Sequence, residues 1–241
     1  KTEGRVGAGG ARNYGGNHAA GEWLLFLDDD DLISVSYWKL LSNFLLTENR
    51  THLDCYGFCQ TTASSDREEM HQIANKEDEK ISFEQENGNV LRSKLAALSQ
   101  GFWVSASTFK KIGGIDEELR VNEDTDLCLE LVAYGASCYV SSFNGAIVYK
   151  GSRDQGISKS VTKSYNSAER ASYFKRIIDK HTKILSTDRL ANEWLWKRYL
   201  KMAARAKDKS AIDKLTLSKT LSGKAKMFLG LYWIGVFLIQ S

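Results

Sequence analysis

Residues 22–32, EWLLFLDDDDL, set five apolar side chains against four consecutive carboxylates. Trp23 to Leu27 is an apolar run of strand length after the turn signal Ala20-Gly21, and it reads as a strand buried on both faces, as in a parallel sheet. The acids begin where that strand ends. In open α/β sheets ligands sit in the crevice outside the carboxyl ends of the strands, so Asp28 to Asp31 mark the first candidate site. On extended backbone Asp28 and Asp30 project to one side, Asp29 and Asp31 to the other. Two carboxylates on one side suit a hard ion such as Mg²⁺ or Mn²⁺. The plainer reading is a solvated acidic turn, but four adjacent acids at a strand end repel one another without a counter-ion.

The neighbouring segments alternate between helix and strand patterns. Residues 4–21 read as a flexible glycine-rich turn leading to a short helix around Ala11 to Ala20. Ser34 or Ser36 caps a helix with Trp38, Leu41, Phe44 and Leu45 at helical spacing. Residues 53–60 look like a second strand, and the charge-dense stretch 62–89 reads as a surface excursion or lid with room for a short helix. A strand and a helical turn fit 101–114, stopped by Gly113-Gly114. In 115–135 Asn122 is placed to cap a helix with Leu127, Leu131 and Tyr134 inside and Gly135 after its end. ASCYVSS and GAIVYK finish the sheet, and from about Ser160 the pattern is helical.

Charge divides the chain. Residues 1–150 carry 14 Lys/Arg against 23 Asp/Glu, whereas 151–241 carry 19 against 7. An acidic front half argues against nucleic acid as its ligand, and an anionic substrate there needs a cation between. The four cysteines have no zinc spacing and read as reduced thiols of a cytosolic protein. Proline is absent, and the composition offers no physical reason for that.

Other constellations are weaker. An EF-hand starting at Asp28 fails at Leu32, Ile33 and Lys39, and a dinucleotide fingerprint from Gly7 meets Arg12 where its third glycine belongs. That loop could still present N–H groups and Arg12 to a phosphate. Glu123, Asp124 and Asp126 gain from the macrodipole at a helix start whether or not they do chemistry. Beside a D-x-D pair, they become the natural place for a general base. His18, His52, His71 and His181 read as surface or helix residues. Phe102 and Trp103 are core or a sugar platform. Residues 219–241 are either helices packed on the rest or a membrane-surface segment, since Lys219, Lys224 and Lys226 precede an aromatic-rich apolar patch too short to span a bilayer.

GGARNYGGNHAAGEWLLFLDDDDL resembles the central motif of family 2 glycosyltransferases with the GT-A fold, and GGIDEELRVNEDTDLCLELVAYG resembles the same family's later G-G-F-D-E and E-D-x-D-L block. The resemblance covers about residues 4–150. It implies a GT-A (nucleotide-diphospho-sugar transferase, Rossmann-like) α/β mixed sheet flanked by helices over 1–155; the basic helical C-terminal appendage over 156–241 lies outside it and is read from its own pattern. It further implies an inverting, metal-dependent transferase taking a nucleotide-diphospho-sugar donor and a glycan or lipid-linked hydroxyl acceptor, in surface polysaccharide or glycolipid synthesis. Outside the resemblance, the lysines and aromatic-rich apolar patch of 219–241 point to a cytoplasmic chain with peripheral contact at the inner face of the plasma membrane.

In that family pattern Asp28 and Asp29 with Arg12 face the nucleotide, Asp30 ligates Mg²⁺ or Mn²⁺, Asp124 is the base and Glu123 places the acceptor. Three departures accompany the match. The family's first βαβ unit with its D-D-G-S block is missing from the sequence, which implies a GT-A domain short of half its base pocket, with its activity in question. Ile115 replaces the usual Phe. YKGSRDQGIS stands where many members carry a metal-binding His. The alternatives are a non-catalytic binding or scaffold fragment, which the missing pocket favours, and a sugar-phosphate nucleotidyltransferase, which would need a basic glycine-rich loop near the N-terminus.

Overall fold

The computed structural model describes residues 7–47, 54–77, 81–86, 94–151 and 165–239. They fall into two compact units. The first draws on residues up to 87, 94–117 and 123–157, the second on 118–122 and residues from 158 onward.

The first unit contains α1 (Gly7–His18), β1 (Trp23–Leu25), β2 (Leu32–Ile33), α2 (Val35–Thr47) and β3 (Cys55–Ser64). α3 (Arg67–Asn75), β4 (Glu84–Gln85), β5 (Trp103–Ser105), α4 (Ala106–Lys111), α5 (Glu123–Tyr134) and β6 (Ser137–Tyr149) follow. Its sheet runs β1-β5-β3-β6-β2, with β4 also paired to β6. Only β3 and β6 are parallel; every other pairing is antiparallel. β6 is one strand rather than the two pieces its sequence suggests. Its register against β3 shifts between Phe58 and Thr61, and on its other edge β4 takes Tyr139 and Val140 while β2 takes Ala146 and Ile147.

Trp23–Leu25 is not a strand of a parallel sheet buried on both faces. It pairs antiparallel with β5 alone, only Leu24 of its three residues is buried, and Leu27 beyond it is exposed. Among the described residues it is an edge strand, so the apolar run reports packing under helices rather than a central position.

Sequence periodicity marks the core less well than packing does. Ser34 caps α2, its Oγ accepting from the Tyr37 amide at 3.1 Å. Tyr37 turns inward and donates its hydroxyl to the Gly101 carbonyl, while Trp38, expected inside, is exposed. Around Tyr37 gather Leu41, Leu45, Cys55, Cys59, Trp103 and Tyr139. Trp103 lies edge-on to Trp23, Phe44 and Phe83. Both Phe102 and Trp103 are fully buried, so they are core and not a sugar platform. All four cysteines are buried and none forms a disulfide.

The helix expected around Ala11 to Ala20 is present and starts earlier, at Gly7, ending at His18. A Cβ at Gly16 would stand 2.8 Å from the Phe109 ring, which is why this helix can approach α4 so closely. α5 keeps Leu127 and Leu131 inside, but Tyr134 is exposed and donates to Asp54. Asn122 does not take the extended backbone of an N-cap; it lies at φ 62°.

The second unit is helical: α6 (Ser167–Lys180), α7 (Thr182–Leu185), α8 (Arg189–Arg205), α9 (Ser210–Leu217) and α10 (Gly223–Ile239). α6 starts with a full capping box between Asn166 and Glu169, and Asp188 caps α8. Phe174, Ile177, Leu195, Trp196, Tyr199 and Leu229 are buried within it. His181, at the α6–α7 junction, is buried rather than on the surface. His18 and His71 are exposed, and His52 lies outside the described residues. No helix among the described residues is long and apolar enough to cross a membrane.

Candidate active site

The acidic run after β1 is a turn, not extended backbone. The Asp31 amide donates to the Asp28 carbonyl at 3.2 Å, which removes the alternation expected of Asp28 to Asp31. Asp29 is exposed at its tip and Asp30 is half-buried. Asp31 turns inward: its Oδ1 accepts from the Tyr149 amide at 2.9 Å, while its buried Oδ2 has no hydrogen-bond partner. Burial, reinforced by the charges of Asp30 and Asp28, pushes the Asp31 carboxyl up to about 6.

Arg67 at the start of α3 holds the outer side of this turn. Its Nη1 donates to the Asp30 carbonyl at 2.7 Å, and its guanidinium lies 3.8 Å over the Tyr149 ring. Sequence reasoning passed over this residue. It sits in a charge-dense stretch of surface type, and nothing in the spacing links it to the acids.

Arg12 joins the acid turn to the start of α5. Its Nη2 reaches Asp28 Oδ1 at 2.7 Å and its Nη1 reaches Glu123 Oε1 at 2.8 Å. One planar guanidinium thereby holds two carboxylates 16 and 111 residues away in sequence. Its neighbour Asn13 fastens α1 to the segment that precedes α5. The amide nitrogen of Asn13 donates to the Ile115 carbonyl and Glu117 Oε1, and its oxygen accepts from the Ile115 amide at 2.8 Å. Asn13 is thus the structural half of the pair, and its short polar side chain gave no sign of that in the sequence.

Asp124 follows Glu123 in the first turn of α5 and accepts from the Thr125 amide at 2.7 Å. Burial and the adjacent charge of Glu123 push its carboxyl up to about 6, against the pull of Arg12. A carboxylate with that value is mostly ionised at neutral pH yet more basic than an ordinary carboxylate, which suits it to taking a proton.

Of the six residues singled out from sequence, Arg12, Asp28, Glu123 and Asp124 come together in one place. Asp29 and Asp30 belong to the same turn, Asp29 at its exposed tip. The donor set fits a hard divalent cation. Its oxygens are carboxylate, four of them adjacent in one turn, and the buried Asp31 Oδ2 is left without a hydrogen-bond partner among the described residues. The segment YKGSRDQGIS lies outside the described residues from 152 on.

Comparison with known proteins now bears on this geometry. An "Uncharacterized glycosyltransferase" of Haemophilus influenzae is 28% identical over 141 residues, which cover 55% of this chain and 43% of that protein. The crystal structure of S. aureus TarS is similar in fold at a TM-score of 0.53 and 14% identity, over 98% of this chain and 42% of that one. The chain therefore spans less than half the length of either. The fold is of the GT-A class, a curled mixed α/β sheet with flanking helices. Residues 1–113 match the sequence model of glycosyl transferase family 2.

Proposed function

We propose that the protein is an inverting glycosyltransferase that moves a sugar from a nucleotide-diphosphate donor to a hydroxyl acceptor. The observation that carries this reading is Arg12, which bonds Asp28 on the donor side and Glu123 on the acceptor side. A reaction between two substrates requires two recognition regions held a fixed distance apart, and a bidentate guanidinium does that with little freedom.

Asp124 is the base in this reading. It takes the proton of the attacking acceptor hydroxyl, whose oxygen displaces the diphosphate from the opposite face of the anomeric carbon, so the configuration inverts. Glu123 orients the acceptor, and its charge keeps Asp124 basic enough to accept the proton. Asp28 and Asp29 bind the nucleotide portion together with Arg12. Asp30 would hold Mg²⁺ or Mn²⁺, which supplies charge neutralisation for the departing diphosphate. The acceptor is a growing surface polysaccharide or a lipid-linked glycan, and the work is done in the cytoplasm.

Thermal unfolding with Mn²⁺ and UDP, GDP, CDP or TDP tests the reading. A ligand at about 100 times its dissociation constant adds roughly 2.7 kcal/mol, a rise of a few degrees. One diphosphate should stabilise the chain only with metal, and Asp30→Ala should abolish the rise. Stabilisation by none of the four, in a chain that unfolds cooperatively, sinks the transferase reading in favour of a binding or scaffold role.

A further inference from the structure

Helix α10 has two apolar faces and only one of them is packed. Ala225, Leu229 and Trp233 recur every four residues and are buried within the second unit. Two residues further along from each is about 200° around a helix. There stand Met227 and Leu231, both exposed, with Phe228, Ile234 and Ile239 exposed beside them. Leu231 is 63% exposed and Ile239 86%. A helix apolar on every side is ordinarily buried on every side, and contiguous exposed apolar surface of this kind marks an interaction site.

The surroundings of that face say what it meets. Lys219 and Lys224 are exposed at its N-terminal end, and Lys226 lies beside them with its Nζ on the Thr216 carbonyl at the end of α9. That contact brings Leu217, itself 78% exposed, alongside the first turn of α10. Lys197 of α8 stands 5.0 Å over the Tyr232 ring, so a cation flanks the face from a second helix. From residue 158 onward the chain carries 18 Lys/Arg against 6 Asp/Glu. An apolar strip rimmed by lysines is complementary to a bilayer with anionic headgroups, where the side chains enter the acyl boundary and the ammonium groups stay at headgroup level. A second copy of the chain would bring like charge to like charge. Among the described residues no helix is long and apolar enough to cross a membrane.

We infer that the outward face of α10 is a docking surface for an anionic membrane. This goes beyond the proposed transfer reaction and is independent of it, because none of the residues of this face belongs to the site around Arg12.

The test is co-sedimentation of the whole chain with vesicles of phosphatidylcholine alone and of phosphatidylcholine with 30% phosphatidylglycerol. The chain should pellet with the anionic vesicles, weakly with the neutral ones, and less as NaCl is raised from 0.1 to 0.5 M. Phe228→Ser with Leu231→Ser should weaken binding by roughly 100-fold while leaving the melting temperature unchanged, since both side chains are exposed. Lys219→Glu with Lys224→Glu should lower binding to anionic vesicles and leave the neutral ones as they were. Should the double serine variant lose stability, Phe228→Trp supplies the readout: its emission should shift to the blue with anionic vesicles. Equal sedimentation with and without vesicles overturns the inference. So does a concentration-dependent dimer in lipid-free solution that the serine substitutions abolish, which would assign the face to a second copy.

Discussion

Each of the two units has internal bonds of a different reach. In the first, the polar contacts that shape the site join residues far apart in sequence: Arg12 to Glu123 over 111 positions, Asn13 to Ile115 over 102, Asp31 to Tyr149 over 118. Typical of the second are the capping box at Asn166 and Glu169, the Asp188 cap and the Lys175–Asp179 pair, each within a single turn, although Asn192 reaches the Thr220 carbonyl 28 positions on. Local bonds stabilise a helix wherever it is placed. Long-range bonds fix one arrangement of separate elements, and the proposed reaction needs that because it calls for acids from two motifs to meet.

The largest effect should come from the group that touches the reacting atoms. In Asp124→Asn turnover should fall about 10²–10⁴-fold with the donor KM little changed, as steady-state kinetics of the complete protein would record. Because the base works ionised and its carboxyl sits at about 6, wild-type kcat should rise with pH through about 6, and the variant should lose that limb. An unchanged pH profile in the variant would remove Asp124 from the reaction.

Next comes the long-range bond itself. Arg12→Met leaves Asp28 and Glu123 facing one another without a cation. The pair is part-exposed, so the cost is about 1–3 kcal/mol, read as a lower urea midpoint at constant m. Arg12→Lys should recover only part of it, because an ammonium cannot hold both carboxylates in one plane.

Asn166→Ala provides the local counterpart, expected to cost about 1 kcal/mol through the lost cap. Hydrogen exchange should distinguish the two variants. The cap variant should loosen amides at the start of α6 only, whereas Arg12→Met should loosen both the turn at Asp31 and the first turn of α5. Loosening confined to α1 in Arg12→Met would show that the long-range bond does not organise the site.

The smallest effect is a pH dependence away from the site. Asp54 accepts from Lys111 at 3.0 Å, Thr108 at 2.8 Å and Tyr134 at 3.1 Å, and these bonds, that from Lys111 first, hold its carboxyl below the ordinary value of 3.8. A lowered folded value stabilises above 3.8 and is lost as pH falls through that lowered value. Asp54→Asn should therefore melt about a degree or two lower at pH 7, with the gap closing below the ordinary carboxylate range. A gap that persists in acid would mean that packing, not charge, carries the bond.

The sequence by itself determined the elements and the chemical character of each region. Gly113-Gly114 ends α4 as expected, Ser34 caps α2, residues from Ser167 on are helical, and the front motifs point to glycosyl transferase family 2. These features are local: a cap, a positive φ, an apolar period or a contiguous motif acts over a few residues and leaves its mark there. What the sequence misjudged or left blank depends on distant partners. Trp38 and Tyr134 have helical spacing but face solvent, and Trp23–Leu25 is an edge strand despite its apolar run, because what packs against an element is not written in that element.

The site follows the same division. Asp28 to Asp31, Glu123 and Asp124 were visible as acid clusters, while Arg67 on the Asp30 carbonyl and the buried, half-partnered Asp31 were not. A carboxylate's burial, the charges around it and the cation that pairs with it are set only when chain segments a hundred residues apart are brought into contact. Tertiary structure alone therefore decided that Arg12 ties the two acid motifs into one place, and that the second apolar face of α10 is left in water.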